Sequence, residues 1–388
     1  MSNKIPPTIK KELGNVVVIG GCGFLGHHVV NQLIERYTCA VSVIDIRTTR
    51  NRRPESDNVG YFDGDMTDLQ SLRNLFDQIK PDVVIHTASP IAVAETPNDF
   101  LYKVNVVGTK NVIQACQDTS VRALVYTSSA SVISDSVTDL INADERWPVL
   151  RGAHQTDYYA ETKADAEQCV IAANRSGPNN ALLTACIRPA GIFGEGDVQL
   201  VPPMMDLLFT GKTNFQVGQN DNLFDFTYVG NVAHAHLLAA ALLLQTSKLA
   251  TAPLDHEKVD GEAFIVTNDS PVYFWDFPRQ LWALAGHKKG TEGVWVITKD
   301  VGIPLATVSE TLLPMFGKQS KLTRRGIKFS CMTRYYSCTK AKERLGYRPL
   351  VGMKEAMKRS VEDHLESRKK GEARWWEEKK MQEAKKAQ

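Results

Sequence analysis

Short apolar runs alternate with longer segments of mixed polarity from residue 15 onward. The runs include "NVVVIG", "AVSVIDI", "DVVIHTAS" and "RALVYTSS", and they are apolar almost throughout rather than at every second position. The segments between them, such as residues 68–79 and 99–117, have the length and pattern of helices. Strands that are apolar on both faces and are followed by helices are typical of a parallel sheet covered on both sides. The pattern therefore predicts an α/β fold with a doubly wound parallel sheet.

This rhythm continues to Gly194 and then changes. The predicted strands "VGYFDGDM" and "LLTACIRPAGIFG" complete the regular part, and the segments beyond it are shorter and rich in Pro, Gly, Asn and aromatic residues. Within this second part, "VGNVAHAHLLAAALLL" predicts a helix and "GEAFIVTN" a strand. We therefore expect an N-terminal extension, a large α/β domain, a smaller region that mainly binds the substrate, and a C-terminal helix with a charged tail. Their predicted bounds are 1–14, 15–194 with completing elements around 225–268, 195–350 and 351–388.

Composition and charge exclude several classes of function. The 388 residues are 23% charged, and a formal net charge of +2 gives no basic field of the kind that nucleic-acid binding requires. The seven cysteines include no C-x-x-C pair, and the nine histidines include no H-E-x-x-H motif. We therefore expect neither a disulfide framework nor a catalytic metal. Because no stretch reaches about 18 uncharged apolar residues, we also expect no membrane-spanning segment.

Three glycines lie between the first predicted strand and its helix. Gly20, Gly23 and Gly26 form a G-x-x-G-x-x-G turn, which allows a tight bend and the close approach of a pyrophosphate to the backbone. Asp45 ends the next strand, nineteen residues after Gly26, where a carboxylate accepts hydrogen bonds from the adenosine ribose. Since that carboxylate would repel a 2′-phosphate, the pattern predicts NAD. Arg47 keeps NADP as the alternative, because an arginine beside the ribose accommodates the phosphate.

The stretch "DYYAETKADAE" places two tyrosines before a lysine. Side chains four residues apart share one face of an α-helix, which turns by about 100° per residue. Tyr159 and Lys163 are such a pair, whereas Tyr158 points elsewhere. An ammonium beside a phenol favours the phenolate, so we expect Lys163 to lower the pKa of Tyr159 toward neutrality, where it can exchange protons. For this spacing alone, the alternative is a solvated Tyr/Lys pair.

Together these motifs resemble those of a known superfamily. The glycine turn, "GDMTD" at 64–68, "HTAS" at 86–89, Asn105, "YTSSASV" and the Y-x-x-x-K pair are similar to the motifs of extended short-chain dehydrogenases/reductases. Within that superfamily, "IDIRTTRNRRP", "INADERWP", "RPAGIFGEGD" and "DFTYVGNVAHAHLLAA" most resemble the 3β-hydroxysteroid dehydrogenase family. The resemblance covers most of residues 15–350, and it implies a Rossmann fold with a smaller C-terminal substrate-binding region.

The resemblance also implies the roles of individual residues. Ser129 would hydrogen-bond the substrate oxygen, although strand alternation alone does not separate it from Ser128. Tyr159 would remove the hydroxyl proton, and Lys163 would also bind the nicotinamide ribose. Asp65 and Met66 would flank the adenine, and Pro189 would pack by the nicotinamide. The complete implied cofactor site is Gly20, Gly23, Phe24, Leu25, Gly26, Asp45, Arg47, Asp65, Met66, Ala88, Ser89, Tyr159, Lys163 and Pro189.

Within the family, the chain most resembles fungal enzymes that act on 4α-carboxysterols. This likeness implies NAD-dependent oxidation of the 3β-hydroxyl to a ketone, with loss of the C4 carboxylate as carbon dioxide, in sterol biosynthesis. The alternatives are a 3β-hydroxysteroid dehydrogenase/isomerase, a nucleotide-sugar epimerase or dehydratase, and a dinucleotide-sensing regulator without catalysis. Nucleotide-sugar enzymes commonly carry arginine where this chain has Phe224, which either contacts an apolar ligand or packs in the core.

Two stretches bear on location. Residues 294–317 are largely apolar but interrupted by charges, which favours a surface-lying segment or a substrate lid over a span. The tail from 367 to 388 combines Trp375 and Trp376 with clustered Lys and Arg, a composition suited to an anionic lipid surface. A buried cap helix and a solvated helix are the respective alternatives.

The family resemblance implies a peripheral protein on the cytosolic face of the endoplasmic reticulum membrane. Its expected partners are the other enzymes of sterol C4 demethylation, and a homodimer is among its expected assemblies.

Overall fold

The computed structural model describes residues 11–90, 96–177, 181–313 and 322–369. Within these ranges the strands are β1 (Lys11–Ile19), β2 (Tyr37–Asp45), β3 (Gly60–Asp63), β4 (Val83–His86), β5 (Ala123–Thr127), β6 (Leu140–Ala143), β7 (Leu183–Pro189), β8 (Gly191–Phe193), β9 (Phe215–Val217), β10 (Leu223–Phe224), β11 (Phe226–Tyr228), β12 (Glu262–Val266), β13 (Val272–Tyr273), β14 (Trp295–Ile297) and β15 (Arg334–Tyr336). The α-helices are α1 (Phe24–Arg36), α2 (Leu69–Ile79), α3 (Asn98–Tyr102), α4 (Thr109–Asp118), α5 (Tyr158–Ala172), α6 (Val201–Phe209), α7 (Val229–Thr246), α8 (Asp276–Leu284), α9 (Lys299–Leu312), α10 (Arg324–Cys331), α11 (Thr339–Arg344) and α12 (Met353–Lys369).

Seven strands form one parallel sheet in the order β12-β7-β5-β4-β1-β2-β3. The chain builds outward from β1 to β3 and then returns to add β4 on the other side of β1. Ligands of such sheets bind at this reversal, outside the carboxyl ends of the strands. Because β4 and β5 are buried along their whole length, their sequences are apolar without alternation. The predicted doubly wound parallel sheet is confirmed.

Helices cover both faces of this sheet. α1 and α7 form a core with one face, and α2, α4 and α5 form a second core with the other. In the part of the chain that the structure describes, α7 alone is long and apolar enough to cross a membrane. However, 78% of that helix is buried inside the protein, so its hydrophobicity matches its position against the sheet.

The segment predicted as one helix over 99–117 is divided into α3 and α4 by a π-helical turn, Lys103–Gly108. Turns of this kind often occur at functional sites. This one contains Asn105, which is buried and hydrogen-bonded to Ser89 and Thr162. The interruption thus accompanies side-chain contacts with distant segments, which hydrophobic periodicity does not reveal.

The strand predicted over "LLTACIRPAGIFG" is also divided. β7 pairs with β5 in the main sheet, whereas β8 pairs with β11 in a separate ribbon. The change follows Pro189 directly, and Gly191 then starts β8. This bend carries the chain from the large sheet toward the smaller region.

The smaller region contains a mixed sheet in the order β13-β10-β15-β6, the β14-β9 ribbon, and the neighbouring helices α9 and α10. Elements between 225 and 268 serve both parts, because β12 joins the main sheet beside β7 while β11 pairs with β8. Residues 1–10 and 370–388 lie outside the described ranges, and with them Trp375 and Trp376 of the charged tail. The domain bounds given above stay predictions.

Candidate active site

A cavity of about 1480 Å³ lies outside the carboxyl ends of β1, β2, β4, β5 and β7. Every residue predicted above for the cofactor and catalytic sites lines it. The cavity therefore lies where the strand order reverses, which is the binding position expected for this sheet. Among the described residues, no cluster of three or more His, Cys, Asp or Glu side chains could hold a metal ion.

The glycine turn closes tightly at one end of this cavity. Gly20 adopts a left-handed backbone with φ of +79°, and an added Cβ there would lie 2.7 Å from the backbone nitrogen of Ala88. A Cβ on Gly26 would lie 2.1 Å from the Gly20 carbonyl oxygen. No side chain caps α1, whose N-cap is Gly23, so the N–H groups of its first turn face the cavity without a side-chain partner. That geometry suits a pyrophosphate.

Asp45 lies beside this turn at the end of β2. Its carboxylate accepts hydrogen bonds from the backbone nitrogens of Cys22 and Arg47, each at 3.1 Å. Burial is the main cause that raises the pKa of the Cys22 thiol to about 11, and the negative charge of Asp45 adds to it. The thiol therefore stays protonated at neutral pH. Of the four arginines after Asp45, Arg47 and Arg50 line the cavity.

The remaining two arginines of this segment are directed elsewhere. Arg52 lies over the Tyr61 ring, 4.5 Å from its centroid, and Arg53 pairs with Asp57 at 2.7 Å. Positive charge beside Asp45 therefore comes from fewer side chains than the sequence suggests.

The predicted adenine-side residues follow β3 and β4. The Asp65 carboxylate accepts a hydrogen bond from the backbone nitrogen of Thr67 at 2.8 Å. Met66 is buried against Gly108 of the π-helical turn, where an added Cβ would lie 2.7 Å from Met66 Cε. With Phe24 and Leu25 at the start of α1, these residues enclose the end of the cavity nearest the glycine turn. The uncapped helix, the close glycine turn and the Asp45 carboxylate together fit a nicotinamide adenine dinucleotide.

α5 directs Tyr159 and Lys163 into the cavity. The helix begins after Asp157, whose carboxylate caps it by accepting a hydrogen bond from the backbone nitrogen of Tyr159 at 3.1 Å. Tyr158 is not among the residues that line the cavity and lies near Asp99 of α3. The helical spacing thus separates the two tyrosines as expected.

The lysine of this pair is buried and bonded to the sheet. Lys163 Nζ donates a hydrogen bond to the Thr127 carbonyl oxygen at 2.5 Å and lies 4.3 Å from the centroid of the Tyr126 ring. Burial lowers the pKa of Lys163 to about 7, although Cys186 and Glu167 favour its ammonium form. The lysine can therefore gain or lose a proton near neutral pH.

The pKa of Tyr159 differs from the sequence-based expectation. Burial raises it above the ordinary value for a phenol, and a hydrogen bond with the Ser89 hydroxyl opposes that rise. The lowering expected from Lys163 is absent because desolvation of the phenol dominates and the lysine ammonium is directed toward Thr127. Periodicity places the two side chains on one face, but it does not show how deeply both are buried.

A chain of hydrogen bonds behind Tyr159 connects three elements. Ser89 Oγ donates to Asn105 Oδ1 at 2.9 Å, and Asn105 Nδ2 donates to Thr162 Oγ1 at 3.0 Å. Thr162 Oγ1 in turn donates to the Tyr159 carbonyl oxygen at 2.8 Å. The π-helical turn is thus bonded to α5 one turn from the start of that helix.

Two fully buried histidines lie near Lys163. Burial lowers the pKa of His86 to about 3 and that of His236 to about 4, with the charge of Lys163 adding to both effects. His236 Nδ1 lies 2.8 Å from the Val232 carbonyl oxygen and therefore carries the proton. Its Nε2 then accepts a hydrogen bond from Thr127 Oγ1 at 2.8 Å. This support was not predicted from the sequence, where its signal was a histidine within the apolar run of α7.

The serines after β5 occupy different environments. Ser129 is half-buried, and its Oγ lies 2.7 Å from Ser131 Oγ and accepts a hydrogen bond from the backbone nitrogen of Ser131. Ser128 is buried, and its Oγ has no hydrogen-bond partner among the described residues. All three line the cavity, so the more open Ser129 is the better placed to meet a substrate.

The opposite end of the cavity is enclosed by α10 and β15. Arg325 of α10 pairs with Asp157, the cap of α5, at 2.6 Å. Phe329 of the same helix packs against Phe224, with ring centroids 5.0 Å apart. Phe224 is buried in an aromatic cluster and also lines the cavity, so the two roles considered for it coexist. α10 was not predicted from the sequence, where its signal was the mixture of basic and apolar residues in "TRRGIKFS".

Residues 17–296 match the 3-beta hydroxysteroid dehydrogenase/isomerase family. The chain belongs to this family. It is 41% identical over 348 residues to sterol-4-alpha-carboxylate 3-dehydrogenase, decarboxylating, of Schizosaccharomyces pombe, covering 89% of this chain and 96% of the relative. The Saccharomyces cerevisiae enzyme of that name is 40% identical, with 90% and 97% covered. The human enzyme is 37% identical, with 89% and 87% covered. The family resemblance inferred from the motifs is confirmed.

Solved structures of two other enzymes share the fold of this chain. UDP-glucose 4-epimerase of Thermotoga maritima matches with a TM-score of 0.66 at 20% identity, covering 91% of this chain and 99% of that one. dTDP-glucose 4,6-dehydratase of Bacillus anthracis, in complex with NAD, matches with a TM-score of 0.66 at 16% identity, covering 92% and 98%. At this identity the likeness confirms the extended Rossmann architecture.

Replacing Tyr159 by Phe tests the assignment of the working tyrosine. We expect Tyr159→Phe to lower kcat by about 10²–10⁴-fold, because the phenolic oxygen exchanges the proton, with little change in dinucleotide affinity. Tyr158→Phe is the matched control and should retain most activity. Steady-state kinetics and a dinucleotide-binding titration on both variants provide the measurement. Comparable losses of kcat in the two variants would contradict the assignment.

Proposed function

We propose that this protein oxidises the 3β-hydroxyl of a 4α-carboxysterol to the 3-ketone with NAD and releases the C4 carboxylate as carbon dioxide. The observation that carries the proposal is the placement of Tyr159 and Lys163 in one cavity with the aromatic wall around Phe224. The alignments with the Schizosaccharomyces pombe and Saccharomyces cerevisiae enzymes, which are named for this reaction, cover 89% and 90% of the chain. Membership in a dehydrogenase family makes a non-catalytic regulator the weaker reading.

In this reaction Tyr159 accepts the proton of the sterol hydroxyl while Ser129 hydrogen-bonds the same oxygen. When bound, NAD would supply the acceptor for the hydride that leaves C3 and a positive charge that favours the Tyr159 phenolate. Lys163 would hydrogen-bond the nicotinamide ribose. Because its pKa is about 7, it could also take up or release a proton near Tyr159 during the reaction.

The second stage needs little help from the protein. The new ketone lies β to the carboxylate, so the bond between C4 and the carboxyl carbon breaks and its electron pair enters an enolate. Protonation of that enolate at C4 restores the proton that Tyr159 removed. The balance is one carboxysterol and one NAD converted to one ketone, one carbon dioxide and one NADH.

We propose NAD rather than NADP as the cofactor. The Asp45 carboxylate lies beside the glycine turn, where it would accept hydrogen bonds from the adenosine ribose and repel a 2′-phosphate. Arg52 and Arg53 are held by Tyr61 and Asp57, which leaves Arg47 and Arg50 as the cations that line the cavity there.

A nucleotide-sugar reaction is the second candidate, since enzymes of that kind share the fold. Phe224 argues against it, because an aromatic group stands where those enzymes commonly grip a phosphate with arginine. A 3β-hydroxysteroid dehydrogenase/isomerase reaction would use the same pair and differs in requiring no carboxylate on the substrate.

The purified protein should be assayed side by side with a 4α-carboxysterol, a plain 3β-hydroxysteroid and a UDP-hexose, each with NAD and with NADP. We expect the carboxysterol with NAD to give the highest kcat/KM and to yield NADH and carbon dioxide in equal amounts. Asp45→Ala serves as the cofactor control, and it should weaken NAD binding more than NADP binding. Preference for the UDP-hexose, or dinucleotide binding without turnover of any substrate, would overturn the proposal.

We also propose a peripheral position on the cytosolic face of the endoplasmic reticulum membrane, supported by the surface of α9. This helix packs through small buried residues, Gly302 and Ala306, with Gly302 beside Ile327 of α10. Its outward face carries an exposed apolar stripe at helical spacing: Val301, Leu305, Val308 and Leu312. Trp295 of the adjoining β14 is 73% exposed. Large apolar side chains turned to solvent suit a lipid interface.

α10 and β15 enclose the end of the cavity opposite the glycine turn, which we call the substrate end. The stripe lies close to this end, because α9 packs against α10 and Glu310 of α9 lines the cavity. A sterol dissolved in a membrane could therefore enter beside it. Of the residues predicted over 294–317, those from 314 onward lie outside the described ranges. A complex with other C4-demethylation enzymes and a homodimer stay predictions.

Flotation with liposomes tests the membrane position. Full-length protein should float with anionic vesicles at low salt, and substitution of Val301, Leu305 and Val308 by serine should abolish flotation without lowering thermal stability, because these side chains are exposed. Leu249→Ser with Leu254→Ser, two exposed positions elsewhere, is the matched control and should float normally. Protein that stays in the soluble fraction at low salt would contradict intrinsic membrane binding.

A further inference from the structure

Four cationic side chains line the substrate end of the cavity: Arg324, Arg325, Lys328 and Arg334. Two of them already have carboxylate partners. Arg324 pairs with Glu310 and Arg325 with Asp157, each at 2.6 Å. Within the described ranges, neither Lys328 nor Arg334 has a carboxylate within salt-bridge distance.

Burial distinguishes these two remaining cations. Lys328 is exposed on α10, where solvent screens its charge, whereas Arg334 is half-buried at the start of β15. Arg334 Nε donates a hydrogen bond to the Tyr336 hydroxyl at 2.6 Å, which fixes the plane of the guanidinium. Its Nη1 and Nη2 make no hydrogen bond to another described residue. The part of the guanidinium that can bind an anion in a bidentate manner is therefore open.

Tyr336 links this guanidinium to the segments that carry Ser129 and Pro189. Tyr336 is buried in the same apolar cluster as Ala130 and Ala190. These two residues directly follow Ser129 and Pro189, which were assigned to the substrate oxygen and the nicotinamide. Arg334 and Tyr336 line the same cavity as Ser129 and Pro189, and Tyr336 packs with the residues that follow them.

Most neighbours of Arg334 in the cavity wall are apolar. Phe224 is its partner in the β10–β15 pairing, and Phe329 and Met332 line the same cavity. One oxygen of the Asp225 carboxylate accepts a hydrogen bond from the backbone nitrogen of Tyr336 at 2.8 Å, the other has no hydrogen-bond partner among the described residues, and neither pairs with Arg334. An unpaired guanidinium in an apolar wall attracts an anionic group more strongly than one in water.

We propose that Arg334 binds the C4 carboxylate of the substrate and thereby selects carboxysterols over sterols without that group. The inference rests on the proposed function. In a 4α-carboxysterol the carboxylate is attached to the carbon next to C3, so its partner must stand beside the groups that act on the 3-hydroxyl. Arg334 meets that condition, and its planar fork matches the two carboxylate oxygens.

The test compares each variant on a 4α-carboxysterol and on the neutral 4α-hydroxymethyl analogue. Arg334→Gln should lower kcat/KM for the acid by at least ~30-fold, mainly through KM, and leave the neutral analogue nearly unchanged. Arg334→Lys should recover part of the loss, because it keeps the charge without the fork. Lys328→Gln, which removes an exposed charge from the same cavity, is the matched control and should change little.

Two further measurements separate recognition from a structural role. Thermal stability and NAD affinity of Arg334→Gln should match the parent protein. Added guanidinium ion should restore activity of Arg334→Ala with the acid and have no effect with the neutral analogue. If the parent turns over the acid but Arg334→Gln keeps the same preference for it, the inference is wrong and the proposed function stands. If the parent does not act on the acid, both fail.

Discussion

The burial of the Lys163 ammonium is the constraint on which the arrangement of this site depends. A charged amine inside a protein must have hydrogen-bond acceptors and compatible neighbours, or it loses its proton. Here the Thr127 carbonyl accepts its hydrogen bond, and the Tyr126 ring offers its face at 4.3 Å. Burial also keeps the neighbouring His86 and His236 neutral by lowering their pKa values, and the positive charge of Lys163 adds to that effect.

Elements on both faces of the sheet support the position of Lys163. α7 brings His236 to the Thr127 hydroxyl, so the helix on one face of the sheet supports the strand end that holds the lysine. On the other face, Glu167 lies one turn beyond Lys163 and forms a buried bidentate pair with Arg188 at 2.8 and 2.6 Å. Arg188 precedes Pro189, so this pair connects α5, which carries Tyr159 and Lys163, to the end of β7. The position of the proposed catalytic pair and the stability of the fold thus depend on the same contacts.

Local patterns in the sequence were sufficient for much of this arrangement. The strands and the glycine turn are encoded by neighbouring residues, and the separation of Tyr159 from Tyr158 follows from helical spacing alone. The features that could not be predicted from the sequence depend on contacts between distant segments. The raised pKa of Tyr159 requires knowledge of its burial, and the π-helical turn accompanies bonds from Asn105 to residues on two other elements. Arg334 reaches the cavity only because β15 pairs with β10, more than a hundred residues earlier in the chain.

The ionisation of Lys163 can be measured directly. ¹⁵N NMR of lysine-labelled protein without added dinucleotide, with the Nζ resonance assigned by comparison with Lys163→Met, gives its titration curve. The structure predicts a midpoint near pH 7, because burial favours the neutral amine. Since the unfolded chain keeps a lysine pKa of about 10.4, this residue should also make the folded state more stable as the pH rises from about 7 toward that value. A resonance that remains that of an ammonium up to about pH 9 would show that Lys163 has the ordinary lysine pKa and that its burial does not control the site.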